Sequence, residues 1–471
     1  MRCPRRAQSA PRSTPLRQLL GAAAVMVLSQ ATHATGLLDA LAQAKQRDPG
    51  YRASQLTLAQ GERQQQQSQA LWNPSIMLDV FGGVKGMDSS TKGAQFYSSE
   101  MPGATRYGGS TFNTSIYLGA SARGAITALA PLFDQERQAQ ARQLGISAEI
   151  AQLTHQVAEQ FLTQSVVERY LDVLSAQKAL QLVGEHESVI RQADQELNRR
   201  RRLGDVSGID VTESRERLEN LRARRISAEH QLQVAQLALA DLSGSTTALN
   251  PPKLTQLPIS LAEPPLAELL DRMRFEHPRL KVFDLQKKIA LAEAEKFGNG
   301  QRSAKVNAIA QAAIDVTRGQ GDYGSSTWQQ AQHYVGLQVS VPLSTGGLRS
   351  ARQAEALIVA ERSGHERAQG ALQLEQELRA GWFALSASRP RTDLLKQTLE
   401  TSRTRLMQTR RAHSEGTRST LELMAAEAAA IEAQEHLFQE QVNAARHYAR
   451  IFYSAGILSE EHLKRIASYL Y

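Results

Sequence analysis

Apolar residues recur at helical spacing over much longer stretches than a compact domain requires. The longest run extends from Leu132 to Leu203 without a proline, and its apolar positions advance by alternating steps of four and three. This heptad pattern is typical of helices that supercoil against neighbouring helices. At 1.5 Å per residue, a continuous helix of this length would span about 108 Å. A second heptad pattern follows Gly416, from Met424 to Phe452.

Four shorter segments alternate apolar and polar residues and predict β-strands, at about 74–83, 113–130, 304–316 and 333–343. Gly/Ser/Thr/Tyr-rich segments, Lys85 to Thr111 and Thr317 to His333, separate the members of each pair and predict two loops. Strands of about ten residues are long enough to cross a bilayer at a tilt. Four strands cannot close a barrel, so either they form a soluble sheet or several chains pool them.

The chain is an internal duplication. Asp48-Pro49 corresponds to His277-Pro278, and from Pro131 and Pro342 onward the two halves match at an offset of 211 or 212 residues. The predicted organisation has a first repeat at 35–245 with a hairpin tip near 204, a Pro-rich linker at 246–265, and a second repeat at 266–471 with a tip near 416.

Residues 1–34 are predicted to be a secretory signal peptide. A basic region precedes the short apolar run Leu19 to Leu28, and small residues follow, with cleavage expected after Ala34. The formal charge is +8, and five arginines of this leader contribute to it, so the remaining charge is too small to suggest a nucleic-acid partner. Cys3 is the one cysteine and lies in the leader, which leaves the mature chain without a disulfide or a thiol nucleophile.

Motifs for chemistry are missing from the sequence. The chain contains no HExxH, GxSxG, P-loop or dinucleotide fingerprint. The basic run "NRRRRLGD" at Asn198 to Asp205 is interpreted as a solvated hairpin tip. The sequence therefore predicts transport without catalysis, with no cofactor or metal.

The order of these features resembles the TolC family of outer-membrane efflux and secretion ducts over residues 36 to 465. The resemblance rests on the signal peptide, the duplication, "DPGYRA", two strand pairs, "VPLSTGGLRSARQ" and "EGTRSTLELM". It implies a mainly α fold with a transmembrane β part. Three chains would pool their strands into a twelve-stranded barrel in outer-membrane lipid, continued by a periplasmic α-barrel.

The resemblance also implies a closed periplasmic entrance at the hairpin tips. Gly204 and Gly416 would reverse the chain, and Asp205 and Thr417 beside them would dock on a periplasmic adaptor protein. Arg418 would tie the second hairpin to Asp210 of the first, and Glu422 would ring the constriction. A second ring acid falls on Ala425 and a gating tyrosine on His413, so the sequence departs from the family there.

Three functions remain open at this point. The first is a homotrimeric exit duct that works with an adaptor and an inner-membrane ABC exporter or proton-driven pump. For its cargo, type I secretion of a large protein such as a repeat-containing toxin is favoured over multidrug efflux, since no lipid-anchor cysteine follows the leader. The second is a periplasmic adaptor, and the third a structural coiled coil.

Overall fold

The computed structural model describes residues 36–96, 107–243, 265–298, 304–322 and 324–470. Its helices are α1 Leu37–Arg47, α2 Pro49–Ala70, α3 Gln135–Arg202, α4 Gly208–Ser243, α5 Leu266–Glu276, α6 Pro278–Phe297, α7 Leu348–Ser414, α8 Thr420–Ser454 and α9 Glu460–Leu470. Its strands are β1 Ser75–Phe96, β2 Tyr107–Asp134, β3 Lys305–Gly321 and β4 Gly324–Ser340. The predicted mainly α fold with two helical hairpins and four strands is confirmed. The predicted signal peptide and nearly all of the predicted linker lie outside the described residues.

The duplication is visible element by element. Each repeat runs through two short helices, two antiparallel strands and a long helical hairpin, and α9 follows the second repeat. Corresponding residues of the two repeats cap corresponding helices: Asp48 is the N-cap of α2 and His277 is the N-cap of α6. Each directly precedes a proline at the first helical position. Each cap accepts a backbone N–H bond, from Tyr51 at 2.6 Å and from Arg279 at 3.1 Å.

The strands form one antiparallel sheet in the order β1-β2-β3-β4. They are longer than predicted, because the ladder continues into the polar segments that were expected to be loops; residues 97–106 of the first predicted loop lie outside the described residues. β1 continues to Phe96 and β2 starts at Tyr107, while Gly321 of β3 pairs with Gly324 of β4. At its other end β4 stops at Ser340, before the predicted boundary at 343.

The long helices α3 and α7 organise the helical part. The 68 residues of α3 span about 100 Å at 1.5 Å per residue. The half of α3 near the sheet packs against α2 and α6, as shown by the bonds from Ser68 to Ala141 and from Gln143 to Glu293. The far half packs against α4 and α8. No helix in the described ranges is long and apolar enough to cross a membrane.

The main hydrophobic core lies midway along the molecule, where the short helices wrap around the long ones. It joins α1, α3, α5, α7, α8 and α9 around fully buried residues such as Tyr170, Leu174 and Tyr448. At the sheet end, Glu136 of α3 binds Lys305 of β3 and Arg349 of α7, both at 2.6 Å. These contacts fix the sheet and the distal hairpins to one frame.

Candidate functional site: the hairpin tips and the two-faced sheet

The two hairpin tips have the same backbone design. Gly204 and Gly416 adopt positive φ of 85° and 77°, a conformation that favours glycine. In the first tip the amide of Asp205 donates to the carbonyl of Arg200 at 3.0 Å, and in the second the amide of Thr417 donates to that of Ala412 at 2.9 Å. This pattern is the Schellman motif, which ends a helix and satisfies its last carbonyls. Both glycines therefore end a long helix and reverse the chain.

Glu422 closes the second tip as part of a capping box. Its carboxylate accepts bonds from the backbone amide of Ser419 at 2.8 Å and from its hydroxyl at 3.2 Å, and the Ser419 hydroxyl accepts from the amide of Glu422 at 3.2 Å. The Ser419 amide, followed by the guanidinium of Arg418, lowers the pKa of Glu422 below its ordinary value. Glu422 is therefore a charged carboxylate, fixed in place at an exposed helix start.

Arg418 binds Glu422 on the same hairpin. Among the described residues it makes no ion pair with Asp210, so one chain does not contain the predicted tie between hairpins. Asp210 lies half-buried in the first turn of α4, at the position of the first repeat that corresponds to Glu422. The offset also places Glu213 opposite Ala425, so the acid absent from the second repeat is present in the first.

His413 connects the two helices of its own hairpin. Its Nε2 lies 3.1 Å from the hydroxyl of Thr420, so the last turn of α7 is joined to the first residue of α8. The equivalent residues of the first tip, Arg201 and Gly208, also lie side by side. The side chain of Thr417 bonds back to the carbonyl of Ala412 at 3.0 Å. Asp205 and the exposed arginines before Gly204 remain available on the outer surface of the first tip.

A small apolar cluster holds the two tips of one chain together. Met424 of α8 is fully buried within a cluster whose other buried members all belong to the first hairpin. Its other buried members are Ile190, Leu197, Val211, Leu218 and Leu221. Because one hairpin inserts its side chain into the core of the other, the tips of one chain are packed as a unit.

Two buried glutamates near the tips were not identified from the sequence. Glu427 of α8 binds Arg410 of α7 at 2.9 Å, and Glu187 of α3 binds Arg225 of α4 at 3.1 Å and Arg191 of its own helix. The bond from Arg225 is the main reason that the pKa of Glu187 is lowered. Each carboxylate thus joins the two helices of its hairpin. The pairs are far apart in sequence, so only the hairpin register could have revealed them.

The sheet has one apolar face and one polar face. Cross-strand rows on the first face read Ile76, Ala128, Ala310, Val335 and, two residues further, Leu78, Ile126, Ala312, His333. On the opposite face, Gln311 bonds to Thr127 at 2.9 Å, and Arg123 pairs in register with Asp315. Ile76, Val80 and Val335 are more than 70% exposed. Such a sheet suits a barrel wall with lipid on one side and water on the other.

Metal chemistry finds no support in the described part of the chain, which has no group of three or more potential metal-ligating side chains. The predicted absence of a catalytic site is not tested by these findings. What the arrangement offers is a wall, a long helical extension and a charged tip.

Three kinds of comparison with known proteins agree with this architecture. Residues 40–245 match the family described as outer membrane efflux protein. The chain is 24% identical over 351 residues to the alkaline protease secretion protein AprF of Pseudomonas aeruginosa. The aligned region covers 72% of this chain and 70% of that protein.

Solved structures share the fold at lower identity. The outer membrane protein VceC of Vibrio cholerae matches with a TM-score of 0.68 at 15% identity, covering 89% of this chain and 96% of VceC. The CmeC outer membrane channel of Campylobacter jejuni matches with a TM-score of 0.70 at 10% identity, covering 92% and 90%. The family match, the relative and the shared fold agree with the two-faced sheet and the paired hairpins. The chain is therefore similar to outer membrane efflux proteins over residues 40–245 and has the TolC-like fold of solved outer membrane channels along most of its length.

Proposed function

We propose that this chain forms the homotrimeric exit duct of a type I secretion system that exports a large protein. The observation that carries the proposal is the four-stranded, two-faced sheet, attached to hairpins far longer than a globular domain needs; within the described ranges, the outer edges of β1 and β4 have no partner strand. Open edges are not tolerated in lipid, and three chains that pool their strands remove them. The helices then continue the same tube across the periplasm.

The hairpin tips form the periplasmic entrance in this proposal. Gly204 and Gly416 shape the two turns, and Asp205 and Thr417 lie at the outer surface where an adaptor docks. Because Arg418 and Asp210 do not pair within one chain, the tie between them forms across neighbouring copies. His413 and Glu422 stiffen the second tip from within. An inner-membrane ABC exporter supplies the energy, since the duct itself needs no chemistry.

The secreted cargo is inferred from the relative whose name refers to alkaline protease secretion. A proton-driven pump with drugs as cargo is the competing assignment. Both use the same trimeric duct, so the fold does not distinguish them. The cargo must be identified by what the cell loses when the duct is removed.

Two measurements test the proposal. The purified protein is expected to run as a trimer in detergent and to conduct ions in planar bilayers. A conducting monomer, or protein found only in soluble or inner-membrane fractions, would contradict the duct and favour an adaptor or a structural coiled coil.

Deletion of the gene tests the cargo. The proposal expects a protein to disappear from the medium while antibiotic susceptibility stays unchanged. An unchanged set of secreted proteins with raised susceptibility would assign the duct to drug efflux instead. Re-expression of the intact chain is the control and must restore the missing protein.

A further inference from the structure

An elongated groove runs between α6 and α7, near the ends of these helices that adjoin the sheet. It has a volume of about 650 Å³, which lies in the range of ligand-binding clefts. Its lining residues recur every three or four positions, from Gln286 to Phe297 of α6 and from Arg352 to Glu366 of α7, with Gln143 of α3 beside them. At 1.5 Å per residue, the two helical segments are about 17 and 21 Å long.

The duplication shows why α6 and α7 stay apart here. At the corresponding crossing of the first repeat, α2 and α3 are in close contact, since a Cβ added to Gly61 would lie 2.6 Å from the Cβ of Ala151. Ala290 of α6 takes the place of Gly61, and Ser363 of α7 takes the place of Ala151, at offsets of 229 and 212 residues. The Cβ of Ala290 does not permit the close approach made at Gly61, so α6 and α7 pack less closely and leave a groove.

The groove opens on the side of the α6–α7 pair that lies opposite α5. Arg274 of α5 binds Glu375 of α7 at 3.2 Å, and on the same side Asp284 of α6 binds Arg367 of α7 at 2.8 Å. At 100° per residue, Asp284 and Glu375 each lie about 160° around their helices from the middle of the groove-lining positions. In the trimer proposed above, on which this step rests, the groove therefore faces the lumen, because α5 inside the tube would obstruct it.

Apolar and charged side chains share the lining of the groove. Ile289, Val359 and the ring of Phe297 provide half-buried apolar surface. Several of the charged side chains already have partners, which are listed here: Glu293 binds Lys296 at 2.6 Å and Gln143 at 2.7 Å, and Arg362 binds Glu366 at 3.4 Å. These pairs fix the edges of the groove without using all of its charges.

Two charged residues of the lining remain available to a ligand. Arg352 lies over the ring of Phe297, with its guanidinium carbon 5.7 Å from the ring centroid, and Glu355 follows one turn further along α7. Both are exposed, and neither has an ion-pair partner among the described residues. A guanidinium held over an aromatic ring keeps its N–H donors for a carboxylate. Glu355 offers a carboxylate to a cation, so the groove presents one free charge of each sign.

We propose that this groove binds extended segments of polypeptide on their way through the duct. A groove of this length accommodates five or six residues of extended chain, at about 3.3 Å each. Its apolar surface matches the apolar side chains of such a segment, and Arg352 and Glu355 match side chains of both signs. Folded proteins bury most of their large apolar side chains, so the groove distinguishes unfolded from folded cargo. Three copies give the lumen three such grooves.

Peptide binding to the purified trimer tests the site. The probe is a fluorescein-labelled ten-residue peptide of leucine, arginine and aspartate, followed by fluorescence anisotropy, and a labelled peptide of glycine and serine is the control probe. The first peptide should bind and the second should not. Arg352→Gln and Glu355→Gln should each weaken binding about tenfold, the loss expected for one charge-assisted hydrogen bond. Glu361→Gln removes an exposed carboxylate of α7 outside the groove and, as the matched control, should leave binding unchanged.

A filled groove gives a second readout. Val359→Trp adds bulk at a half-buried lining position and should abolish peptide binding while the trimer and its ion conductance persist. The charge variants decide the matter independently if this larger substitution disturbs folding.

The possible results separate the groove from the duct. Equal peptide binding by all variants, or equal binding of the two peptides by the intact protein, would overturn the assignment. Ethidium is the probe for a small amphipathic cation: if Glu355→Gln weakens its binding while the peptide does not bind, the groove takes small molecules and the proposal is wrong. A conducting trimer without groove-dependent peptide binding refutes the groove alone. Protein that is neither trimeric nor conducting refutes the proposed duct, so the two failures are distinguishable.

Discussion

His277 shows how a single residue can make the fold sensitive to pH. It lies almost fully buried beside Gly456, and its Nδ1 accepts the Arg279 amide at the start of α6, which requires a neutral ring. Burial, assisted by the nearby Arg279 charge, lowers the pKa of His277 to about 4. The unfolded chain takes up its proton near the ordinary value of about 6.5.

The pKa difference gives a definite pH window. A lowered histidine pKa means that the folded state binds fewer protons, so this contribution is complete above about pH 6.5 and is lost as the pH falls toward 4. The full difference corresponds to about 3 kcal/mol for each chain. His277→Asn replaces the capping Nδ1 with an amide oxygen, which also accepts a backbone N–H but does not titrate, and should flatten the pH dependence of the unfolding temperature between pH 7 and 4. His365→Asn, on an exposed side chain of α7, is the control and should retain the slope.

Residue patterns predicted the tips better than the contacts made around them. The glycines and the Ser419 to Glu422 spacing carry local signals, because turns and caps are built from neighbouring residues. Two carboxylates could bind Arg418: Glu422, one helical turn away on the same hairpin, and Asp210 on the other hairpin. Within one chain, Arg418 binds Glu422. Long-range pairs such as Arg410 with Glu427 carry no local signal.

At the scale of elements, ion pairs join the two helices of the first hairpin at a position where the second hairpin has a buried apolar residue. Glu187 is buried among Arg191, Arg222 and Arg225, and the equivalent residue of α7 is Leu399, which is also buried. A buried carboxylate is stable only while its donors remain, and the donors repel one another without it. The first hairpin therefore depends on one charge.

Glu187→Gln keeps the shape and removes that charge, and it should destabilise the protein by about 1–3 kcal/mol. Chemical unfolding followed by circular dichroism measures the loss. Glu229→Gln removes the exposed carboxylate that also binds Arg225, at 3.0 Å, and should cost little, since exposed pairs contribute about 1 kcal/mol or less. Because the pKa of Glu187 is lowered, its contribution should persist at neutral pH and disappear only as the pH falls below the ordinary carboxyl range. Equal losses of stability in both variants would show that the ion pairs of Glu187 do not stabilise the first hairpin.

Helices were predicted more closely than strands, for a physical reason. The heptad pattern of α3 follows from packing on several sides along its whole length, so the signal persists from end to end. Apolar and polar residues alternate in β1 and β2 only where one face of the sheet is apolar. Beyond that region both faces are polar, as in the Ser89 to Lys92 segment, and the ladder continues without any alternating signal. The predicted strand ends therefore coincide with the limits of the alternating apolar segment. The hydrogen-bonded ladder extends beyond them.

At the scale of the whole molecule, the threefold axis of the proposed trimer would repeat each tip residue three times around a ring. Each copy contributes Asp210 and Glu422 to one narrow entrance in the proposed trimer. The low pKa of Glu422 keeps it charged, and among the described residues Asp210 has no ion-pair partner within its own chain. Carboxylates held around a constriction attract cations and bind multivalent cations most strongly.

The ring predicts a cation-selective pore that trivalent cations block from the periplasmic side. Asp210→Asn with Glu422→Gln should abolish both properties, and glutamine at 422 retains the capping box, so the tip should stay folded. Glu415→Gln is the matched control, since Glu415 is exposed and binds Arg411 at 3.2 Å. Glu427 would be a poor control, because it is buried against Arg410 and its loss would disturb the hairpin. Ala425→Asp adds an exposed charge one turn further and should strengthen block by hexaamminecobalt, whereas Ala425→Asn should not. Reversal potentials and block in planar bilayers decide the outcome: if selectivity survives the double change, the charges that select cations lie elsewhere along the duct.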